Sequence, residues 1–265
     1  MLSIIIPTLG QRVEEFRRLC KSLEEQTNQS FEVIVTSQDH HKKVGELLQT
    51  FSFSYQHVTL HRRGLSYARN EGLKMIKGDY VTFSDDDCWY PSDMVERVER
   101  FFLDHQKPVV CFQIYDPISQ QSYKNYPLQK KDSVSTKDLF RKSSIEIFVH
   151  VTNVDKRYLR FDERFGLGAE HPSGEENIFL VGLKRAGYEI SYIPVPIVYH
   201  LKPTHESRLA EKTMISKGAL FAVLYNKPID MLMLTVLFAK KIPHLKRPFS
   251  TYIKAVRLAL QIEKK

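Results

Sequence analysis

Apolar residues dominate Met1–Ile6, interrupted by Ser3 alone, and, after Pro7 and Thr8, recur at Val13, Phe16, Leu19, Cys20 and Leu23. The short run reads as a strand, and the three-to-four spacing that follows reads as a helix with one buried stripe. Phe31–Val35 is β-branched and strand-like. Tyr80–Phe83 forms the core of another strand, spanning residues 79–84, and Met94, Val95, Val98, Phe101 and Phe102 mark a second helix, which opens after Pro91 with Ser92 as its N-cap. Strand and helix alternating in this order predict an α/β fold with a mostly parallel sheet and right-handed crossovers.

Further along, Pro108–Tyr115 reads as a strand. The polar stretch Asp116–Ser135 reads as a long loop over a cleft. Ile145–Val151 and Tyr188–Ile193 read as strands, with a helix over Glu175–Ala186 between them, closed by Gly187. Beyond His205 the pattern is helical throughout. No internal repeat or low-complexity tract is visible.

Composition narrows the classes. Hydrophobic residues at 42% and charged residues at 26% belong to a globular chain rather than a disordered one. Cys20, Cys88 and Cys111 are odd in number and show no CxxC spacing, which argues against a disulfide framework or a structural zinc site and favours a reducing, cytoplasmic setting. The apolar N-terminus lacks the basic flank of a signal peptide, so the Asn28-Gln29-Ser30 sequon is expected to be without use. The longest apolar stretch, Ile229–Ala239, is interrupted by Asp230 and Thr235, and falls short of the roughly 20 residues that a bilayer span needs.

The formal charge of +8 is unevenly placed. Residues 240–265 hold Lys240, Lys241, Lys246, Arg247, Lys254, Arg257, Lys264 and Lys265 against Glu263 alone, so the rest of the chain is nearly neutral. In the same region Phe249, Tyr252, Ile253, Val256 and Leu260 form an apolar stripe, with Lys254, Arg257, Gln261 and Lys264 on another face. That pattern fits docking of the C-terminal helices on an anionic membrane surface, or packing on the domain with the charges in water. Aromatic residues are not interleaved with the charges, so no nucleic acid partner is expected.

Candidate chemistry concentrates at Asp85-Asp86-Asp87. Three adjacent carboxylates repel one another unless a cation holds them, and ligands of α/β sheets bind beyond the carboxyl ends of parallel strands. An oxygen-ligand site for Mg²⁺ or Mn²⁺ that also holds a phosphorylated substrate is therefore expected. Upstream lie Arg62, Arg63, Ser66 and Arg69, and guanidinium forks suit a diphosphate. Trp89 and Tyr90 could stack on a sugar or pack in the core. The chain lacks GxGxxG and the Walker lysine motif, which disfavours dinucleotide and P-loop chemistry.

Four segments in order, SIIIPTLG (3–10), GLSYARNEGL (64–73), GDYVTFSDDDCWYP (78–91) and the stretch FDERFGLGAEHPSGEENIFLVGLKRAGYEISYIPVPIVYH (161–200), resemble the family 2 glycosyltransferases, inverting enzymes of the GT-A fold. The resemblance covers residues 2–203. It implies a GT-A domain over residues 1–205, with a nucleotide-sugar half (1–115) and an acceptor half (116–205), followed by a basic helical extension over 206–265. It further implies that Pro7 and Thr8 touch the nucleotide, that Arg69, with Arg63 and Ser66 in the same segment, binds the donor, and that Asp85 and Asp87 are the outer carboxylates of a DxD motif. Asp87 would then ligate the metal, Asp85 or Asp86 would contact the ribose or the metal's waters, and His200 would touch the metal or the diphosphate.

The family's base lies in a Glu-Asp pair, here Glu175-Glu176, so Glu176 would be the base, one methylene longer than usual. Family members also carry an aspartate after the second strand, where this chain has Thr36-Ser37-Gln38-Asp39, leaving Gln38 or Asp39 to read the base or ribose. The expected activity is transfer of a sugar from a nucleotide-sugar, a UDP-sugar foremost, to a saccharide acceptor, lipid-linked or free, in cell-surface polysaccharide synthesis. The expected place is the cytoplasm, peripheral at the inner face of the membrane. The alternatives are a nucleotidyltransferase, for which Pro7–Arg12 is a weak match to the required loop, and a noncatalytic sugar-nucleotide or membrane-binding partner of another transferase.

Overall fold

The computed structural model describes residues 1–202 and 211–263. In chain order the elements are β1 (Leu2–Thr8), α1 (Val13–Glu24), β2 (Phe31–Ser37), α2 (His41–Leu48), β3 (Tyr55–Thr59), α3 (Leu65–Leu73), β4 (Tyr80–Phe83) and α4 (Met94–His105). There follow β5 (Val109–Asp116), β6 (Gln121–Ser122), α5 (Thr136–Leu139), β7 (Ile147–His150), α6 (Glu175–Arg185), β8 (Ile190–Tyr199), α7 (Glu211–Leu224), α8 (Lys227–Lys241) and α9 (Pro248–Gln261).

One sheet organises them. β1 pairs in parallel with β2 and β4, β2 with β3, and β5 with β8. β7 runs antiparallel between β4 and β5, so these two still point the same way, and the short β6 is antiparallel to the end of β5. The fold is therefore a mostly parallel α/β sheet, and it carries the carboxyl ends of β1, β2, β4, β5 and β8 to one edge. Every residue of β1 and β2 is buried. Leu2, Ile4, Ile6, Val33 and Val35 face a core shared with α1, α2 and α4, while Ile5, Ile34, Val81 and Phe83 face a second core that includes α6 and α7. Burial on both faces explains why β1 reads as an almost continuous apolar run, broken only by Ser3 before Pro7.

The structure departs from the sequence reading at particular places. Ser92 does not cap α4: Asp93 precedes the first helical residue, no side chain caps it, and the Ser92 carbonyl instead accepts from the Thr27 N–H at 2.8 Å. The strand expected over Ile145–Val151 begins as a 3-10 turn, Ser144–Glu146, and only Ile147–His150 is extended. Its antiparallel direction, like that of the short β6, departs from the parallel pattern. Tyr188–Ile193 and the residues after it form the single strand β8, with register shifts opposite Cys111–Ile114 where Pro194 and Pro196 remove ladder donors. The polar stretch after Asp116 is pinned by β6 and by mutual backbone hydrogen bonds between Lys131 and Tyr192. The expected boundary near residue 205, and Lys264 and Lys265 of the basic tail, lie outside the described residues. No helix among the described residues is long and apolar enough to cross a membrane. All three cysteines are buried and free.

Candidate active site

The Asp85–Asp87 run leaves the end of β4 just past Ser84, whose N–H still donates to the Ile5 carbonyl at 2.8 Å and so continues the ladder. Three adjacent carboxylates at a sheet edge need counter-charges, and each has a cationic neighbour, with Arg12 shared by two of them. Asp85 accepts from Arg69 at 3.0 Å. Asp86 accepts from the Thr8 hydroxyl at 2.7 Å and lies 3.6 Å from Arg12. Asp87 pairs with Arg12 and stands 3.2 Å from His200 Nε2. Thr8 ends β1 and His200 follows β8, so three strand ends converge on this run.

Electrostatics separates the three. Burial raises the Asp85 carboxyl above the ordinary carboxylate range against the pull of Arg69. It also pushes Asp86 up to about 6, with the Thr8 hydrogen bond and Arg12 opposing. Burial works in the same direction on Asp87, but the His200 hydrogen bond and the charges of His200 and Arg12 outweigh it and hold Asp87 low. His200 is raised in return: burial disfavours its cation, and the Asp87 carboxylate more than restores it.

Arg69 is the buried hub of the cleft. It is fully enclosed on α3, donates to Asp85, to Glu175 at 3.3 Å and to the Ser144 hydroxyl at 2.7 Å, and its guanidinium lies 5.4 Å from the Phe161 ring centroid. A buried guanidinium is retained only when carboxylates and hydrogen bonds compensate its desolvation, and here α3, β4, the 3-10 turn before β7 and α6 all contribute. Ser144 reaches it because that turn has replaced the expected strand.

Asp85, Asp87 and His200 offer ligand atoms that all lie within 4.8 Å of one another. His200 Nδ1 donates to the Leu201 carbonyl at 2.6 Å, which leaves Nε2 as the nitrogen that faces Asp87. A histidine that ligates a metal commonly gives its other N–H to a carbonyl in this manner. Two carboxylates and one imidazole suit Mn²⁺, and Mg²⁺ with additional waters.

The residues expected on the nucleotide side lie around the ends of β1 and β2 and the start of α3. The Gln38 N–H donates to the Thr8 carbonyl at 2.9 Å, and its side-chain oxygen accepts from the Gly64 N–H at 2.6 Å, tying the end of β2 to the start of α3. Asp39 pairs with Arg63, and its carboxyl is held low by the His40 N–H and by Arg63. Arg62 and Arg63 are exposed and spend their guanidinium groups on Glu163 and Asp39, so of the expected arginines only Arg69 reaches the aspartates. Ser66 is fully buried and donates to the Phe165 carbonyl at 2.6 Å. Pro7 is buried within β1 next to Thr8. Tyr90 is buried in the core, and Trp89 has the Arg18 guanidinium 3.8 Å over its ring, with Tyr199 at its edge.

Glu175 and Glu176 open α6, but their surroundings differ. Glu175 is buried and engaged by Arg69. Glu176 is half-buried, and burial together with the Glu175 carboxylate pushes it up to about 8, with Lys217 opposing. The sequence reading missed Arg12, Arg18, Ser144 and Lys217. Arg12 was visible only as part of a loop, Arg18 as the polar side of α1, and Ser144 depends on a turn that pattern does not reveal. Lys217 belongs to a helix beyond the recognisable motifs.

Solved structures share this architecture. S. aureus TarS 1-349 in complex with UDP-GlcNAc superposes with a TM-score of 0.70 at 16% identity, over 98% of this chain and 80% of that one. The mannosyltransferase PcManGT from Pyrobaculum calidifontis, in complex with GDP-Man and Mn²⁺, superposes with a TM-score of 0.61 at 15% identity, over 100% of this chain and 76% of that one. The fold is GT-A. Residues 3–160, more than half of the chain, match the family model described as Glycosyl transferase family 2, and the chain belongs to that family.

Among curated relatives, glycosyltransferase GlyA of Streptococcus pneumoniae serotype 4 is 30% identical over 118 residues, which is 43% of this chain and 17% of that protein. An uncharacterized glycosyltransferase of Haemophilus influenzae is 28% identical over 234 residues, 83% of this chain and 74% of that protein. The chain thus matches most of the second relative and a small part of the first.

Proposed function

We propose that this glycosyltransferase is a metal-dependent, inverting enzyme that moves a sugar from a nucleoside-diphosphate sugar, a UDP-sugar foremost, to a hydroxyl of a saccharide acceptor. One observation carries the reading: Asp85, Asp87 and His200 converge at the strand ends, while Arg69 engages both Asp85 and Glu175, and the adjoining Glu176 has no ion-pair partner among the described residues. The nucleotide-sugars named for the TarS and PcManGT structures, and the Mn²⁺ named for the latter, support the donor class and the ion.

In this reading Asp85, Asp87 and His200 hold a divalent ion, which when bound supplies positive charge for the departing diphosphate. Arg69 keeps Asp85 and Glu175 in place and adds a buried positive charge to the same region. Thr8, Gln38 and Asp39 line the nucleotide side. Glu176 takes the proton from the acceptor hydroxyl as its oxygen attacks the anomeric carbon, a role suited by a carboxylate whose proton affinity is near neutral. A single displacement of this kind inverts the anomeric centre.

Thermal-shift measurements with UDP-GlcNAc, GDP-mannose and dTDP-glucose, each with and without Mn²⁺, test the donor and the ion. We expect a Mn²⁺-dependent stabilisation by one of them that is lost in Asp87→Asn. If no nucleotide-sugar gives a metal-dependent shift, the reading is overturned.

The acceptor side extends to an anionic membrane surface. On α8 and α9, Leu232, Phe249, Ile253 and Leu260 are exposed, and Lys240, Lys246, Arg247, Lys254 and Arg257 are exposed around them. The apolar stripe is divided: Tyr252 turns inward against Phe238 and hydrogen-bonds with Thr235, while the buried side of α9 is made of Thr251, Ala255 and Ala259. Large apolar residues outside, small ones inside and basic residues at the margin support interfacial docking near lipid-linked saccharides at the inner face of the membrane.

A further inference from the structure

We propose that Lys217 on α7 is a positioning residue for the transfer reaction, a cation held against the opening of α6 that sets the proton affinity of Glu176. The proposal rests on Glu176 being the base.

The packing fixes where α7 can place this side chain. Gly174, just before Glu175, has a φ of 107°, and a Cβ on it would meet the Leu220 side chain at 2.9 Å. Leu220 is fully packed, so α7 rests directly on the turn that starts α6. Lys217 is one helical turn before Leu220, on the same side of α7. Its ammonium donates to the Ser173 hydroxyl at 3.4 Å, and Ser173 adjoins Gly174. The cation is thus anchored to the segment that carries both glutamates and acts on Glu176 through space. A contact ion pair would occupy the carboxylate oxygen that must receive the acceptor proton, whereas an ammonium held by a neighbouring hydroxyl leaves that oxygen free.

Among the described residues, the charged groups that face Glu176 fit this division. On its own helix Glu175 raises its proton affinity, but Glu175 is held by Arg69. From the loop after β6, Lys124 also faces it, locked by Glu146 at 2.7 Å, Ser143 at 2.7 Å and the Arg141 carbonyl at 2.8 Å. From α7, Lys217 opposes Glu175. Burial lowers Lys217 itself, and the two glutamates resist that lowering, as expected for a cation and a carboxylate that share one partly dry pocket.

The test uses the full chain without substrate, so it stands apart from whether the donor reading holds. Carboxyl ¹³C signals of labelled glutamate, with Glu176 assigned by its loss in Glu176→Gln, are titrated in wild type, Lys217→Met and Lys217→Arg. We expect the Glu176 midpoint to rise by about one pH unit in Lys217→Met and to stay near the wild-type value in Lys217→Arg. The reciprocal measurement reads Lys217 through ¹³C-methylated lysines, and its midpoint should fall in Glu176→Gln. An unmoved Glu176 midpoint in Lys217→Met, or equal shifts in the Met and Arg variants, overturns the proposal. If Lys217→Met does not fold, the reciprocal titration decides, and an unmoved Lys217 midpoint overturns it. Loss of nucleotide-sugar binding with both titrations as expected would overturn the donor reading alone.

Discussion

Arg69 holds two carboxylates from different elements on one guanidinium, so removing it leaves Asp85 and Glu175 close together and uncompensated. Breaking a buried pair from one side typically costs about 3–5 kcal/mol. Arg69→Met is expected to lose stability in that range by denaturant unfolding, and a loss under about 1 kcal/mol would contradict the hub assignment. Glu176 behaves oppositely. Its folded-state pKa is raised to about 8, above the ordinary value of 4.5, so the fold is most stable when this group is protonated. That stability is lost as pH rises from about 4.5 through 8. Glu176→Gln has no proton to lose, and should melt several degrees higher than wild type at pH 9 and at the same temperature near pH 4.5. Equal melting at both pH values would show that Glu176 is not buried as described. The aspartates stood out because acidic residues at the end of an apolar strand are a local pattern, whereas the glutamate pair was singled out only through the family resemblance. Arg12 and Ser144 were not legible, since their partners are 75 residues away in sequence.

At the scale of elements, the sheet's alternation was readable wherever burial was complete. β1, β2 and β4 are buried along their whole lengths and appear in the sequence as short apolar or β-branched segments. β3 is a half-exposed edge strand, and α2 offers only Val44, Leu47 and Leu48 to the core, so neither stands out from a loop. The direction of β7 could not be read because pairing partners, not composition, decide it. Among the C-terminal helices the informative contact is at Gly218. A Cβ there would lie 2.0 Å from the Ala255 carbonyl oxygen, so α7 and α9 touch through their backbones. Alanine ordinarily gains about 1 kcal/mol over glycine in a helix, but overpacking of this kind costs about 1–3 kcal/mol or more and should win. Gly218→Ala is therefore expected to lower the melting temperature and speed proteolytic release of α9. A stabilised variant would show that the crossing is looser than described.

For the whole molecule, charge and apolar surface are sorted to one region. The net +8 belongs almost entirely to the C-terminal end, while the cleft is balanced pair by pair. Flotation with anionic and neutral vesicles should therefore separate the wild-type chain from Phe249→Glu/Ile253→Glu. Wild type should float with anionic vesicles and be released by salt, and the double variant should remain at the bottom. Equal behaviour of the two would remove the membrane reading and leave the GT-A fold untouched. The position of α7 ties this surface to the cleft, because α9, which carries much of the basic apolar face, packs on α7 at Gly218, and α7 holds Leu220 and Lys217 against the turn that opens α6. Under the membrane-docking and Lys217 proposals together, an engineer who transplanted these helices between relatives to send the enzyme to another surface would also reset the acidity at which it works, so that address and operating pH would be inherited together.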